Sequence, residues 1–532
     1  MTQDEKSHKG STLTVPHLSD RTVFRVFFAI SGLMFLVNVA RHWTYLEDDP
    51  LIVFRYAINF HAGYGWVMNP GEHVNGCTSW FGLFAATFLS SFLSVDSAIV
   101  ALKLLGIMSG LVVLWKSQQI AALLLPEAPV LSACVPLLLS YRSDFCLSMT
   151  NGLETAFACA FLFCGLAAFL TGSRDNKDKT PWETVAFFVL AGLSRPELSV
   201  IYPSLFCLQA IKKEKVDLRL LGIYLLPFLC FAVFSFTFYH SILPNTYYAK
   251  RVDIPTGLIL GSNYIVRYLL APTYFLPAII SLACLLVVAS RPGRTQEFFL
   301  ATIAVYLVFL LRTSGDWMVD GRFAMPILPL VATSWLVGIH AAYQMLKRVT
   351  STSPRTLAIG GLIIIAAAIF MDNRGREEYI ARYSRIHSVV ETLHQPAPLS
   401  AWMCGAPDGR RKISDWVALH VQPGQTVAMP EMGLISCLNP QIKFIDLEGL
   451  TDSTIARLPG YIHGPYGTHA RFDWDNRNSP MGRYIESRSI DYVVTIHDSS
   501  TPNRNPKYLA DGYVTAYVDN SGWHDFIIYK RI

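Results

Sequence analysis

The feature that most limits this chain is a series of apolar runs, each about as long as a helix needs to cross roughly 30 Å of bilayer hydrocarbon. They fall at 23–41, 78–94, 98–124, 129–141, 153–171, 182–211, 219–239, 264–290, 296–312, 323–346 and 356–371, and then they stop. Of the 532 residues 52% are hydrophobic and only 16% are charged, too little charge for a water-soluble globule, where it comes to roughly a quarter. The chain is therefore read as a polytopic α-helical membrane protein of about 9 to 11 spans. Hydropathy leaves 98–141 open between one crossing and three. The run 182–211 is broken by Arg195-Pro196-Glu197 and reads as a hairpin of two short helices, since irregular backbone at membrane depth needs protein or a water-filled cavity around it.

Charge orients the chain. With the N-terminus in the cytoplasm, sixteen Lys and Arg fall in inner loops and seven in outer ones, the asymmetry of the positive-inside rule. This predicts a cytoplasmic tail over 1–21, a helical bundle over 22–371 whose first outer loop is 42–77, and a domain over 372–532 on the periplasmic side of a bacterial inner membrane. The polar stretch before Val23 has no small-residue cleavage site after the run, so that run is read as an uncleaved span. In the outer part, short β-branched runs at 426–430, 443–446, 492–496 and 524–529 alternate with loops rich in Gly, Pro, Asn and Asp, the pattern of an α/β domain.

Several function classes drop out. A net charge of +5 with no basic stripe or stacking aromatics excludes a nucleic-acid partner. No phosphate-binding loop, GxGxxG, HExxH or CxxC is present. Eight of ten cysteines lie in or beside apolar runs as small hydrophobes; Cys404 and Cys437 alone lie in the outer part, where an oxidising compartment permits pairing. Asp473-Trp474-Asp475 is a DxD triplet of the kind nucleotide-sugar enzymes use, but it falls where no nucleotide is supplied.

The outer loops carry the chemistry. Asp49-Pro50 reads as a helix start, and Leu51, Phe54, Ile58 and Ala62 recur at helical spacing until Gly63, predicting a short amphipathic helix in the headgroup plane. Glu47, Asp48 and Asp49 stand where the first span emerges. Asp49 is explained equally by a helix cap and Asp48 by a solvated loop; the functional alternative makes one carboxylate a base for an acceptor hydroxyl and its neighbour an orienting group for substrate, sugar or metal. Polar segments recur at later outer turns: Thr150-Asn151-Gly152-Leu153-Glu154, Pro244-Asn245-Thr246-Tyr247-Tyr248-Ala249-Lys250, and Gly315-Asp316 through Arg322-Phe323. Arg195, Lys250 and Arg322 lie against the orientation rule, which points to an anion at the membrane surface. A lipid phosphate bearing a sugar fits: it leaves as a stable anion that needs positive charge rather than a protonating acid, and a carboxylate supports the oxocarbenium-like transition state.

The run Asp48-Asp49-Pro50 through Arg55-Tyr56-Ala57, Gly63-Tyr64-Gly65, Asn69-Pro70-Gly71-Glu72 and Asn75-Gly76-Cys77-Thr78 resembles the opening of the lipid-phosphate-dependent arabinofuranosyltransferases, which include the terminal β-arabinofuranosyltransferase of cell-wall arabinan and the pilin arabinosyltransferases. Asn151 to Glu154, Ser194 to Glu197, Pro244 to Lys250, Gly315 to Phe323 and Asp446 to Asp452 look like the family's later landmarks in the same order. The resemblance implies a GT-C glycosyltransferase fold with a periplasmic C-terminal α/β domain, and an active site at the outer membrane surface. It implies a polyprenyl-phosphate sugar donor, D-arabinofuranose by family usage, and a glycan or glycoprotein acceptor beside the membrane lipids. Asp48 and Asp49 become the catalytic pair. Arg55, Asn151, Glu154, Arg195, Glu197, Asn245, Tyr247, Lys250, Asp316 and Arg322 become the candidate donor-binding residues. The resemblance fixes no cofactor, and a divalent cation is compatible with the acids. The motifs separate the superfamily from others but not arabinose from mannose. A flippase for lipid-linked sugar would also own a broken helix and intramembrane charges, but it would place them at mid-bilayer in two related halves, and no internal repeat is present.

Overall fold

The computed structural model describes residues 20–174, 181–214, 216–269, 284–290, 293–316, 318, 320–349, 407–458, 479–498, 512–519 and 524–532. The apolar run 356–371, Cys404 and the triplet Asp473-Trp474-Asp475 lie outside the described residues.

Five helices among the described residues are long and apolar enough to cross a membrane: Arg21–Arg41, Val95–Leu124, Thr155–Arg174, Leu218–Tyr239 and Arg294–Arg312. Helix α1 (Asp20–Arg41) leads into α2 (Asp49–His61) and α3 (Trp80–Ser90). In the ambiguous stretch, one helix, α4 (Val95–Leu124), starts at a Ser94 cap that accepts the Ser97 amide, with Asp96 in its first turn. The pieces α5 (Pro129–Ser132), α6 (Val135–Tyr141) and α7 (Ser143–Ser148) follow. Pro129 and Pro136 each open one of these pieces, because proline fits a first helical turn and breaks a helix that runs into it.

Helix α8 (Thr155–Arg174) is the most enclosed of the five long helices and packs on α4 and on α9 (Trp182–Ser194). The predicted break falls at Arg195, which is extended at φ −140° and ψ 112° because the Pro196 ring disfavours helical geometry in the residue before it. A 3₁₀ turn over Pro196–Val200 then leads into α10 (Ile201–Ile211). Helix α11 (Leu218–Tyr239) turns most of its apolar surface outward, as a lipid-facing helix must. The set continues with α12 (Asn245–Ala249), α13 (Ile254–Leu269), α14 (Arg294–Arg312) and α15 (Leu328–Val349).

The C-terminal domain holds α16 (Pro407–His420), α17 (Leu434–Leu438), α18 (Pro480–Ser487) and one five-stranded sheet. Its strands are β1 (Thr426–Met429), β2 (Lys443–Asp446), β3 (Tyr492–Asp498), β4 (Tyr513–Asp519) and β5 (His524–Arg531), in the order β2-β1-β3-β5-β4. The β1 pairings are parallel and those of β5 antiparallel. Four strands fall where β-branched runs predict them. The fifth, β4, was not anticipated: it is an edge strand with Val514 and Val518 exposed, so it carries no apolar stripe to read.

Helix α2 is apolar on more than the one face its sequence spacing marks. Leu51, Phe54 and Ala57 pack into a core with α3, α4 and Leu434, while Ile52 and Tyr56 enter a second core with Ile413, Val417, Phe444 and Ile528 of the C-terminal domain. Its two faces are apolar enough to be buried twice, so it is the joint between bundle and domain.

Candidate active site

The site begins with what α2 does with its charges. Asp49 is the first helical residue and Asp48 its cap position, yet the Asp48 side chain caps nothing in its own helix. One Asp48 oxygen accepts the Gly433 amide at 2.6 Å and the other the Leu434 amide at 2.9 Å. Burial pushes the Asp48 carboxyl up to about 6, Glu431 adding to the rise while Arg410 and the two amides oppose it. Asp49 points the other way and pairs with Arg322 at 2.9 Å.

Arg322 is the centre of the cluster. Its Nε donates to Asp316 at 2.5 Å, and it is buried between the two carboxylates. That guanidinium, with Lys250 and Arg195, holds the Asp316 carboxyl below the ordinary carboxylate range against the opposing effect of burial. The neighbouring Asp320 accepts Asn151 Nδ2 at 2.6 Å and Ser148 Oγ at 3.0 Å. Arg195 forms the second focus, donating to Glu197 at 2.5 Å and to Glu154 and Thr155 at 3.1 Å each. The Phe323 ring lies under both guanidinium groups, 4.8 Å from that of Arg195 and 5.4 Å from that of Arg322.

Glu47 lies beneath this cluster, fully buried, accepting from the Tyr45 hydroxyl while its other oxygen has no hydrogen-bond partner among the described residues. Burial, with Asp320 and Asp49 nearby, pushes its carboxyl from an ordinary 4.5 up to about 8, which favours the neutral acid. A carboxyl raised on folding contributes stability that is whole below about pH 4.5 and is lost as pH rises through about 8. Glu47→Gln, neutral at every pH, is therefore expected to melt higher than the native protein at pH 8 to 9 and no higher at acid pH; thermal unfolding in detergent checks it.

The structure thus brings together Asp49, Asn151, Glu154, Arg195, Glu197, Asp316 and Arg322, with the exposed Lys250 in electrostatic reach of Asp316. Three expected donor residues sit elsewhere. Arg55 is fully buried and spends four of its five N–H groups on the carbonyls of Met68, Ser436, Asn439 and Ile442, so its guanidinium is not presented to a phosphate. Asn245 ties α12 to the C-terminal domain through the carbonyls of Gly449, Leu450 and Asp452. Tyr247 is exposed, its ring edge against Tyr248. Arg55→Met strands the four carbonyls that Arg55 holds and is expected to weaken domain docking by about 2–3 kcal/mol, seen as faster proteolysis of the C-terminal domain.

Lys103 was overlooked inside an apolar run. It is fully buried in α4 and donates to the carbonyls of Tyr45 and Thr150, both at 2.5 Å, joining the loop of Glu47, Asp48 and Asp49 to that of Asn151 and Glu154. An ionisable residue within a span is itself a signal that would have found it. As for a divalent cation, no group of three or more His, Cys, Asp or Glu among the described residues is placed to hold one, the acids being engaged by arginines and amides.

The architecture matches solved membrane enzymes. The Archaeoglobus fulgidus oligosaccharyltransferase, in a crystal structure tethered to an acceptor peptide containing the NVT sequon, matches with a TM-score of 0.56 at 12% identity, over 94% of this chain and 74% of that one. The same archaeal enzyme in complex with an inhibitory peptide and a dolichol-phosphate gives 0.51 at 12% identity, over 95% and 74%. The chain therefore has the GT-C fold of multi-pass membrane glycosyltransferases. In sequence it is similar to the terminal β-(1→2)-arabinofuranosyltransferase of Mycobacterium tuberculosis, 24% identical over 346 residues, which take in 56% of this chain and 53% of that one. The chain thus spans about half the length of the curated relative it matches. A family model described as a domain of unknown function (DUF8728) matches residues 402–529, in the C-terminal domain.

Proposed function

We propose that this protein is a glycosyltransferase that moves a sugar, D-arabinofuranose by its sequence likeness, from a polyprenyl-phosphate donor to a glycan or glycoprotein acceptor at the periplasmic face of a bacterial inner membrane. The observation that carries this reading is the pair Asp48 and Asp49 at the exit of the first span, with Arg322 paired to Asp49 and Arg195 on the same Phe323 ring as Arg322. Asp48, raised toward neutrality and outside any ion pair with Arg322, takes the proton of the acceptor hydroxyl. The acceptor oxygen bonds to the anomeric carbon as the bond from that carbon to the phosphate oxygen breaks, and the lipid phosphate leaves with the electron pair. Asp49, fixed by Arg322, orients the sugar. Lys250, exposed beside the cluster, meets the departing phosphate, with Arg195 and Arg322 supplying field.

The test is transfer by the purified protein in lipid nanodiscs from a panel of synthetic polyprenyl-phosphate sugars, reading glycosylated acceptor and free lipid phosphate together. The arabinofuranose donor is expected to be used best. Use of another sugar corrects the sugar alone, whereas turnover of nucleotide sugars, or of none of the lipid donors, overturns the reading.

A further inference from the structure

We infer that the C-terminal domain is a working part of the catalytic site, because the Gly433 and Leu434 amides aim the Asp48 carboxylate and the Arg410–Glu431 pair flanks it. This rests on the proposed role of Asp48 as base.

An aspartate just before a helix ordinarily turns its carboxylate onto the amides of that helix. Asp48 does not; each of its oxygens takes one amide from a segment of chain almost four hundred positions away. The approach is close enough to dictate residue 433. A Cβ there would overlap the Asp48 backbone oxygen and Cγ, so glycine is the only side chain that lets the two backbones meet. Seven residues along α2, two helical turns, Arg55 takes the carbonyls of Ser436 and Asn439. The short α17 is therefore gripped by an anion at its start and a cation at its end, the signs its peptide dipoles favour.

The same domain brings charge. Arg410, buried, donates its Nη2 to Glu431 at 2.7 Å and its Nε to the other oxygen of that carboxylate. Glu431 lies two residues before Gly433, so the pair stands beside the carboxylate the amides hold. Around Asp48 the titratable groups among the described residues are Arg410 from α16, Glu431 and the neutral Cys437 from either side of Gly433, and Glu47 and Asp49 from its own segment. Arg410 favours the ionised Asp48 and Glu431 the protonated one. With the domain displaced, Asp48 reverts to an ordinary loop acid able to cap α2.

The experiment measures kcat, KM and the acid limb of the pH–rate profile for the full chain in nanodiscs. Gly433→Ala is expected to lower kcat by about 100-fold with little change in donor KM. Arg410→Gln moves the acid limb to higher pH and Glu431→Gln moves it to lower pH. Opposite shifts from the two partners of one ion pair cannot come from misfolding, which lowers amplitude and leaves the limb in place. If Gly433→Ala turns over normally, or if neither charge variant moves the limb while Asp48→Asn is inactive, this inference fails and the proposed base stands. If Asp48→Asn is itself active, the base and this inference fail together. Should Gly433→Ala not fold, the two charge variants alone decide.

Discussion

Asp48→Asn is expected to give a folded protein in the membrane whose transfer from a polyprenyl-phosphate sugar is about 10²–10⁴-fold slower, the range for loss of a general base. Asparagine keeps the size of the side chain, and its carbonyl oxygen still accepts one of the two amides of Gly433 and Leu434, so the joint to the C-terminal domain is weakened rather than broken. What it loses is the ability to take a proton. The pH profile of the native enzyme carries the same information. A base works ionised, so kcat/KM should fall as pH drops through about 6, the value to which burial raises this carboxyl. An unperturbed aspartate would place that limb near 4. Near-normal turnover by a well-folded Asp48→Asn protein would sink the assignment.

Arg322→Leu should stop transfer and also destabilise the bundle, by about 3–5 kcal/mol. The guanidinium is the shared partner of Asp316 and Asp49, and Asp316 has almost no access to water that might replace it. Without it two carboxylates are stranded beside Asp320, and burial then raises the Asp316 carboxyl instead of letting it fall. The pH dependence reverses sign as a result. In the native protein the depressed Asp316 contributes stability that is present above its ordinary 3.8 and lost as pH falls through its lower folded value. In Arg322→Leu that carboxyl is raised, so the variant recovers stability as pH falls. Arg322→Lys keeps the charge but not the planar fork that spans two carboxylates, and should lie between. Thermal unfolding at pH 5 and pH 8 decides it; an unchanged melt at both excludes Arg322 as the hub.

Much of this was legible residue by residue. Apolar runs of bilayer length, the break at Arg195-Pro196, and the starts of β1, β2, β3 and β5 follow from hydropathy, proline geometry and β-branching, all of which act within a few residues. The acids at the first exit and the cations at later turns were visible as charges with no local reason to be there. Composition could not tell which of those charges meet. Arg55 and Arg322 have one formula and opposite employments, because the first points at carbonyls of the C-terminal domain and the second at Asp49 and Asp316. Lys103 was hidden by its apolar neighbours, and Gly433 by being one glycine among 34. Local chemistry settled the elements and the inventory of charge, since helix, strand and bilayer respond to periodicity along the chain. Tertiary structure alone decided that Asp48 answers to a domain four hundred residues distant while Asp49 answers to the bundle, because a hydrogen bond depends on where the chain returns in space, and that carries no period to read.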